Sequence, residues 1–177
     1  VSITNLVNNS GVVAADVTGV GTARHALAAA SYGTDKAIFG YGYTSSNVSM
    51  SNLVSSSGVI ASDTTGVGSA RRYLAAAGYG GDKAIFAYGN TGSIVSLSNL
   101  VSNSGVIASD VTGVGTARED LAAASYGGDK AIFGYGLTSG NVSLTNLVSN
   151  SGVVAADVTG VGTARSQIAA AGYSTSA

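Results

Sequence analysis

The chain has 177 residues, of which 45% are apolar and 10% charged, and its net charge is -1. The apolar content excludes a disordered chain, and the lack of a basic cluster excludes the electrostatic footprint of a nucleic-acid-binding domain. The sequence has no Cys, which excludes disulfides, thiolate catalysis and Cys-based zinc sites, and it has neither an apolar run of membrane-spanning length nor a signal-peptide pattern.

The first 47 residues contain four strand-sized segments. In chain order these are "VSITNLV", "GVVAADV", "RHALAAASY" and "KAIFGYG", separated by "NNSG", "TGVGTA" and "GTD" and followed by "YTSSN". Short runs of β-formers and small residues bounded by turn residues are typical of antiparallel strands in a meander. The chain has 26 Gly and no Pro, so we expect turns with positive φ to use Gly and Asn.

The same four segments recur every 47 residues, in copies that span 1–47, 48–94 and 95–141, with an incomplete copy at 142–177. Repeats of about 40 to 50 residues are typical of propellers, solenoids and helical arrays, and no window has the apolar spacing of a helix. We therefore expect residues 1–177 to form a single all-β repeat array. The predicted architecture is a β-propeller of four-stranded antiparallel blades, with the "RHALAAAS" type of segment innermost, and a β-solenoid is the alternative.

A frame that starts before the repeated Arg reads "SARRYLAAAGYGGDKAIFAYGNTGSIVSLSNLVSNSGVIASDVTGVG" and resembles a kelch repeat. The second strand ends in "GYG" or "AYG" in place of the usual Gly-Gly pair, and the chain has no Trp. This Gly-rich and Ala-rich composition is more similar to that of the kelch-like arrays of bacteriophage tail-fibre and bacterial-surface proteins. The resemblance implies a propeller fold, an adhesive role, and a location that is extracellular or on the virion surface.

The fourth copy lacks a "DKAIFGYG" strand. Three explanations remain open: the N-terminal strands complete that copy, a neighbouring chain supplies the strand, or the sequence is an excerpt of a longer ring. Because an open strand edge invites pairing, the gap after Gly172 makes self-association a candidate property of the chain.

The segment "DVTGVGTAR" resembles a phosphate-binding loop in its glycines, hydroxyl groups and basic residue. It lacks the Lys-Ser/Thr pair and the following helix that such a loop needs. We expect a strand connection whose bracketing Asp and Arg form an ion pair or turn hydrogen bonds. A ring of Arg that binds an anion and a ring of Asp that binds a cation are the alternatives. The pairs are Asp16 with Arg24, Asp63 with Arg71, Asp110 with Arg118, and Asp157 with Arg165.

No residue pattern predicts catalysis. His25 is the only His and has no metal-ligating or triad partner at a readable spacing, so we expect no enzyme activity, no cofactor and no metal. The repeated Asp-Lys pairs at 35–36, 82–83 and 129–130 are expected in turns and at strand edges. The repeated aromatic residues are expected in the core: Tyr32, Tyr79, Tyr126, Tyr173, Phe39, Phe86 and Phe133.

The copies diverge at a few positions only. Among the charged residues, Arg72, Glu119 and Asp120 alone depart from the period, and all follow the repeated Arg. Alternate connections of a meander share one end, so the divergent positions should form one face, which indicates a surface that binds a protein or glycan. Neutral drift and a structural protein that self-assembles into filaments are the alternatives. The candidate ligand-binding residues are His25, Ala26, Arg72, Tyr73, Glu119, Asp120, Ser166 and Gln167, with Tyr43, Asn90 and Leu137 in the neighbouring connection.

Overall fold

The computed structural model describes residues 1–172, and these residues contain strands and no helix. Three antiparallel sheets of three strands each follow one another along the chain. The all-β repeat array predicted from the sequence is therefore confirmed. The strands are β1 (Ala28–Tyr32), β2 (Lys36–Gly40), β3 (Ser51–Val54), β4 (Ala75–Tyr79), β5 (Lys83–Ala87), β6 (Ser98–Val101), β7 (Ala122–Tyr126), β8 (Lys130–Gly134) and β9 (Thr145–Val148).

Each sheet has its middle strand in the "KAIF" segment. β2 pairs with β1 in a register that joins Tyr32 to Lys36, and on its other side it pairs with β3. The turn between β1 and β2 is tight because Gly33 and Thr34 both have positive φ, at 57° and 68°. The other two sheets repeat this register 47 and 94 residues further on, because the turn residues recur at the same offsets.

The predicted fourth strand of each unit is reduced to two isolated bridges. In the first sheet these join Ser51 to Thr64 and Val54 to Ile60, so the outer segment has one more residue than β3 between them. Asn52 of β3 lies opposite this bulge, and its Nδ2 donates to the Ala61 carbonyl at 3.1 Å. A side chain that takes a ladder acceptor interrupts regular pairing, which explains why three strands and not four are formed.

The core lies within and between the sheets. Ile38, Ile85, Phe86 and Phe133 are fully or almost fully buried, and Phe86 packs edge-on against Tyr41 of the preceding repeat with ring centres 5.3 Å apart. The expectation that the repeated aromatic residues form the core is confirmed for Tyr32, Tyr79, Phe86 and Phe133, whereas Phe39 and Tyr126 are half-buried and Tyr173 lies outside the described residues.

The expectation that Gly and Asn alone supply positive φ was wrong. Eight other residues among 1–172 have φ between 52° and 68°. Hydrogen bonds hold this backbone: Tyr41 N donates to the Met50 carbonyl and Gly42 N to the Arg71 carbonyl, both at 2.9 Å. Such strain persists where neighbouring contacts over-determine the conformation. The residues are Ala26, Thr34, Tyr41, Tyr73, Tyr88, Asp120, Tyr135 and Gln167.

The three sheets remain separate, since no strand of one sheet pairs with a strand of another. Neighbouring sheets contact each other mainly through their first two strands. The outer segment lies at the opposite edge of each sheet and exposes Val12, Val59, Val106 and Val153 by 61% to 65%. Among residues 1–172 there is no helix of the length and apolarity that crossing a membrane requires.

Candidate recognition face and the junctions that support it

Two of the junctions between repeats are built around a buried arginine. Arg71 is 0% exposed, and its Cζ lies 4.2 Å from the centre of the Tyr41 ring. Its Nε donates to the Tyr88 carbonyl at 2.9 Å, and its Nη2 donates to Asn99 Oδ1 at 2.7 Å. Arg118 is also 0% exposed and lies 4.1 Å from the Tyr88 ring. Stacking and hydrogen bonds thus compensate the charge that the junction buries.

An aspartate caps the other side of the same junction. Asp110 accepts hydrogen bonds from Ser69 N at 3.0 Å, Ser69 Oγ at 2.6 Å and Asn99 Nδ2 at 2.9 Å. Partial burial works against its ionisation, but the hydrogen bonds from Ser69 and Asn99 outweigh it, so the pKa of Asp110 lies below its ordinary value. Asp63 and Asp157 make equivalent contacts and their pKa values are also lowered.

The Asp and Arg residues pair across repeats and not within one "DVTGVGTAR" segment. Arg24 Nη1 lies 3.8 Å from Asp63 Oδ1, and Arg71 Nη1 lies 3.8 Å from Asp110 Oδ1. The expected ion pair is present, but its carboxylate comes from the following copy. An anion-binding ring is not supported at Arg71 or Arg118, because both side chains are buried and donate to carbonyls.

The structure brings the divergent positions of two loops side by side. His25 N donates to the Tyr43 carbonyl at 3.1 Å, and Tyr43 N donates back to His25 at 2.9 Å. The same two-way pairing joins Arg72 to Asn90 and Glu119 to Leu137. The tight turns that hold few differences, at 33–35 and 55–58, lie at the other end of the strands because the strands are antiparallel.

A column of hydrogen bonds links the second residue of each divergent pair. Tyr73 N donates to the Ala26 carbonyl at 3.0 Å, Asp120 N donates to Tyr73 at 3.0 Å, and Gln167 N donates to Asp120 at 2.9 Å. All four residues are left-handed, with φ between 52° and 56°. The backbone that carries the divergent side chains is therefore held in one conformation, whatever the side chain. Ser166, beside Gln167, is half-buried.

A cation and aromatic rings form the centre of this face. The Arg72 Cζ lies 4.6 Å from the centre of the Tyr43 ring and 5.2 Å from that of Tyr73. His25 extends the cluster, since its ring centre lies 5.5 Å from that of Tyr43. Arg72 Nε is buried without a hydrogen-bond partner among the described residues. The cluster offers a positive charge flanked by aromatic surfaces.

The neighbouring repeat changes the chemistry of the face. Glu119 Oε2 accepts a hydrogen bond from Asn90 Nδ2 at 2.9 Å, which joins two divergent positions of different copies. Asp120 is half-buried and follows Glu119 directly. The face therefore changes from a basic, aromatic part at Arg72 to an acidic part at Glu119, and hydrogen bonds between the two repeats join these parts.

Sequence reasoning missed one set of structural residues, the buried asparagines. Asn52, Asn99 and Asn146 are 0% to 3% exposed, and each donates to the Asp that lies 11 residues later at 2.9 Å. The sequence pattern that could have identified them is the recurrence of an Asn 11 residues before the repeated Asp in every copy. A buried amide that orients a carboxylate keeps that carboxylate in position for the neighbouring repeat.

The repeated Asp-Lys pairs lie at the turn before the middle strand, as expected. Asp82 and Lys83 pair at 3.1 Å, and the Asp82 carbonyl accepts from Gly33 N at 2.7 Å. Residues 1–172 hold no cluster of three or more His, Asp or Glu side chains with the arrangement of a metal site. Comparison of the sequence with protein-family models and with curated proteins gives no match.

Proposed function

We propose that the chain is a non-enzymatic recognition module that binds a protein or glycan surface through the face formed by the divergent residues. The proposal includes a kelch-like propeller arrangement of the sheets and a role like that of phage tail fibres or cell-surface adhesins. It also includes a location outside the cell or on the virion. Sheets that contact through their first strands and expose their outer segments are compatible with blades around an axis.

One observation carries the proposal: side chains that differ between otherwise similar copies share a backbone of fixed conformation. The column through Ala26, Tyr73, Asp120 and Gln167 keeps the same φ for four different side chains. Two successive junctions between repeats use the same contact of a buried Arg with a Tyr ring. A constant scaffold with a changed surface is how one fold supports different binding specificities.

The centre of the face has the composition of a binding hot spot. Tyr and Arg contribute most to the affinity of many interfaces, and the Arg72 guanidinium contacts the rings of both Tyr43 and Tyr73. The exposed parts of these rings can also stack on the face of a sugar. Arg72 and Tyr73 are therefore the main anchors in this proposal, and Glu119 with Asp120 adds an acidic part that selects among ligands.

The test compares adhesion of two matched variants with that of the wild-type chain. The face variant carries His25→Ser, Arg72→Ser, Tyr73→Ala, Glu119→Ser, Asp120→Ala and Gln167→Ala, since Ala26 and Ser166 already have the replacement type. The control carries Asn103→Ser and Asn150→Ser in the opposite turns, where the second copy already has Ser56. Binding to whole cells and to protein and glycan arrays is measured after folding is verified.

The face variant should fold, because its replaced side chains are exposed or half-buried and none belongs to the buried core. It should lose binding, whereas the control should keep it. Loss of binding in the control alone would assign recognition to the opposite turns. Ordered fibres from all three proteins, with no ligand bound by any of them, would favour the structural alternative.

A further inference from the structure

The guanidinium of Arg72 differs from those of the repeated arginines. Arg24, Arg71, Arg118 and Arg165 each donate at least one hydrogen bond to a backbone carbonyl. Within residues 1–172 the Arg72 side chain donates none and belongs to no ion pair, and of its three nitrogens only Nε is buried. An arginine has five N–H donors, so the two Nη groups of Arg72 have donors available for an acceptor from outside the chain.

Two aromatic rings hold this guanidinium in place. The Arg72 Cζ lies 4.6 Å from the centre of the Tyr43 ring and 5.2 Å from that of the Tyr73 ring. Tyr43 belongs to the first copy and Tyr73 to the second, so the cluster spans a junction between two repeats. All three side chains are half-buried. A cation whose position is already fixed loses less conformational entropy when a ligand binds.

Unpaired carboxylate oxygens lie beside the cluster, on the third copy. Asn90 pairs with Arg72 through the backbone, and its Nδ2 donates to Glu119 Oε2 at 2.9 Å. Asp120 N donates to the Tyr73 carbonyl at 3.0 Å. Within residues 1–172 the other oxygen of Glu119 and both carboxylate oxygens of Asp120 accept no hydrogen bond. The site therefore presents unused acceptors next to the unused donors of Arg72.

A ligand that complements this site needs three chemical features. It needs a carboxylate, because a guanidinium binds a carboxylate through two parallel hydrogen bonds. It needs an apolar surface that packs on aromatic rings, and it needs hydroxyl donors for the free oxygens of Glu119 and Asp120. A sugar ring that carries a carboxylate has all three. An acidic peptide side chain lacks the hydroxyl donors, and a doubly charged phosphate would be repelled more strongly by Glu119 and Asp120.

We propose that the divergent face binds an acidic sugar, a pyranose ring that carries a carboxylate, at the cluster around Arg72. The carboxylate accepts hydrogen bonds from the Nη groups of Arg72, and the C–H surface of the ring packs against Tyr43 and Tyr73. Hydroxyl groups of the sugar donate to Glu119 and Asp120. This inference rests on the proposed function, because it names the class of ligand for the same face.

The first test compares acidic sugars with their methyl esters on the wild-type chain by titration calorimetry. The probes are trisaccharides of galacturonate, glucuronate and N-acetylneuraminate, and methylation removes the charge while it keeps the ring and its hydroxyl groups. At least one acid should bind, and its ester should bind about tenfold more weakly or worse, since hydrogen bonds to charged groups are the stronger ones. Salt should weaken binding of the acid more than that of the ester. Equal affinities for acid and ester, or no binding of any acid, would overturn the proposal.

Two variants with the same change of net charge locate the site. Arg72→Gln should reduce the affinity for the acid by about tenfold or more and remove the preference for the acid over its ester. Lys130→Gln is the control, because Lys130 is 45% exposed, pairs with Asp129 and lies at the turn end of the strands, away from the divergent face. It should bind as the wild type does. Equal losses in the two variants would assign the effect to net charge and overturn the proposal.

The last comparison separates this inference from the proposed function. A triglutamate peptide that binds as tightly as the acidic trisaccharide would overturn the sugar in favour of an acidic protein. If acid and ester bind alike and the face variant binds neither, the divergent face is the binding site and only the class of ligand is wrong. If the face variant binds cells and arrays as the wild type does, the proposed function fails as well.

Discussion

The guanidinium of Arg71 lies over the ring of Tyr41, with its Cζ 4.2 Å from the ring centre, across the junction of two repeats. Both side chains are 0% exposed. Burial lowers the pKa of Arg71, while Tyr41 and the Asp110 carboxylate act in the opposite direction. The contact joins two sheets that share no strand pairing, so we expect it to contribute strongly to the cohesion of the array.

Removing the Arg71 side chain should destabilise the protein. Arg71→Ala leaves Tyr88 and Asn99 with buried polar atoms that have lost their donor, and the expected loss in the free energy of unfolding is about 3 to 5 kcal/mol. The matched control is Arg165→Ala, because Arg165 stacks on Tyr135 but is exposed. Urea denaturation should give a change of only about 0.5 kcal/mol for the control. Equal losses would contradict the assigned role of burial.

Thr34→Gly should stabilise the turn between β1 and β2. Thr34 has a φ of 68°, a conformation that is costly for a β-branched residue, and the corresponding positions hold Gly81 and Gly128 at 78° and 79°. The expected gain is about 0.5 to 1 kcal/mol in the free energy of unfolding. The reverse change, Gly81→Thr, should lower stability by about 1 kcal/mol or more. A loss of stability in Thr34→Gly would show that its hydroxyl bond to Gly33 matters more than its φ.

Gly134→Ala and Gly40→Ala should differ in sign. A Cβ on Gly40 would lie 2.7 Å from Phe86 Cζ, so the ring must move, whereas a Cβ on Gly134 would meet Thr145 Cγ2 at an ordinary 3.4 Å. Neither glycine has a positive φ. Gly134→Ala should therefore raise stability by about 0.5 kcal/mol through lower entropy of the unfolded chain, and Gly40→Ala should lower it. Thermal denaturation of the two variants measures the difference.

Acid should weaken the junctions. The pKa values of Asp63, Asp110 and Asp157 are lowered in the folded chain, relative to an ordinary value of 3.8. A lowered folded-state pKa contributes stability that is complete above the ordinary value and is lost as pH falls through the folded-state value. The midpoint of urea denaturation should therefore fall steeply below about pH 4.

The matched variant for the pH prediction replaces all three carboxylates by amides: Asp63→Asn, Asp110→Asn and Asp157→Asn. It should be less stable than the wild type at neutral pH, because an amide is a poorer acceptor for the backbone donors of Thr22 and Ser69. Its midpoint should depend less on pH between about 5 and 3. Asp35→Asn serves as the control, since Asp35 is exposed and pairs with its neighbour Lys36. An unchanged slope in the triple variant would assign the acid sensitivity to other groups.

Much of the fold could be read from local sequence. The 47-residue period, the all-β class and the predicted strands that form β1 to β9 agree with the structure. These features depend on alternation of strand formers with turn residues, which acts over a few positions. The predicted outer strand is reduced to isolated bridges because the Asn52 side chain donates a hydrogen bond to the Ala61 carbonyl in place of regular pairing. Several acceptors compete for the donor of such a side chain, and local strand propensity does not specify which of them it bonds to.

The candidate face, like the fold, could be predicted from the sequence only in part. The identity of its residues follows from comparing copies of the sequence, since Arg72, Tyr73 and Glu119 depart from the period. Their left-handed backbone and the hydrogen bonds between residues 47 apart depend on how one repeat lies against the next. For the same reason Arg71 pairs with the Asp110 of the following copy and not with Asp63. Asp63 is the nearer carboxylate along the chain, but packing between repeats brings the more distant Asp110 to the guanidinium.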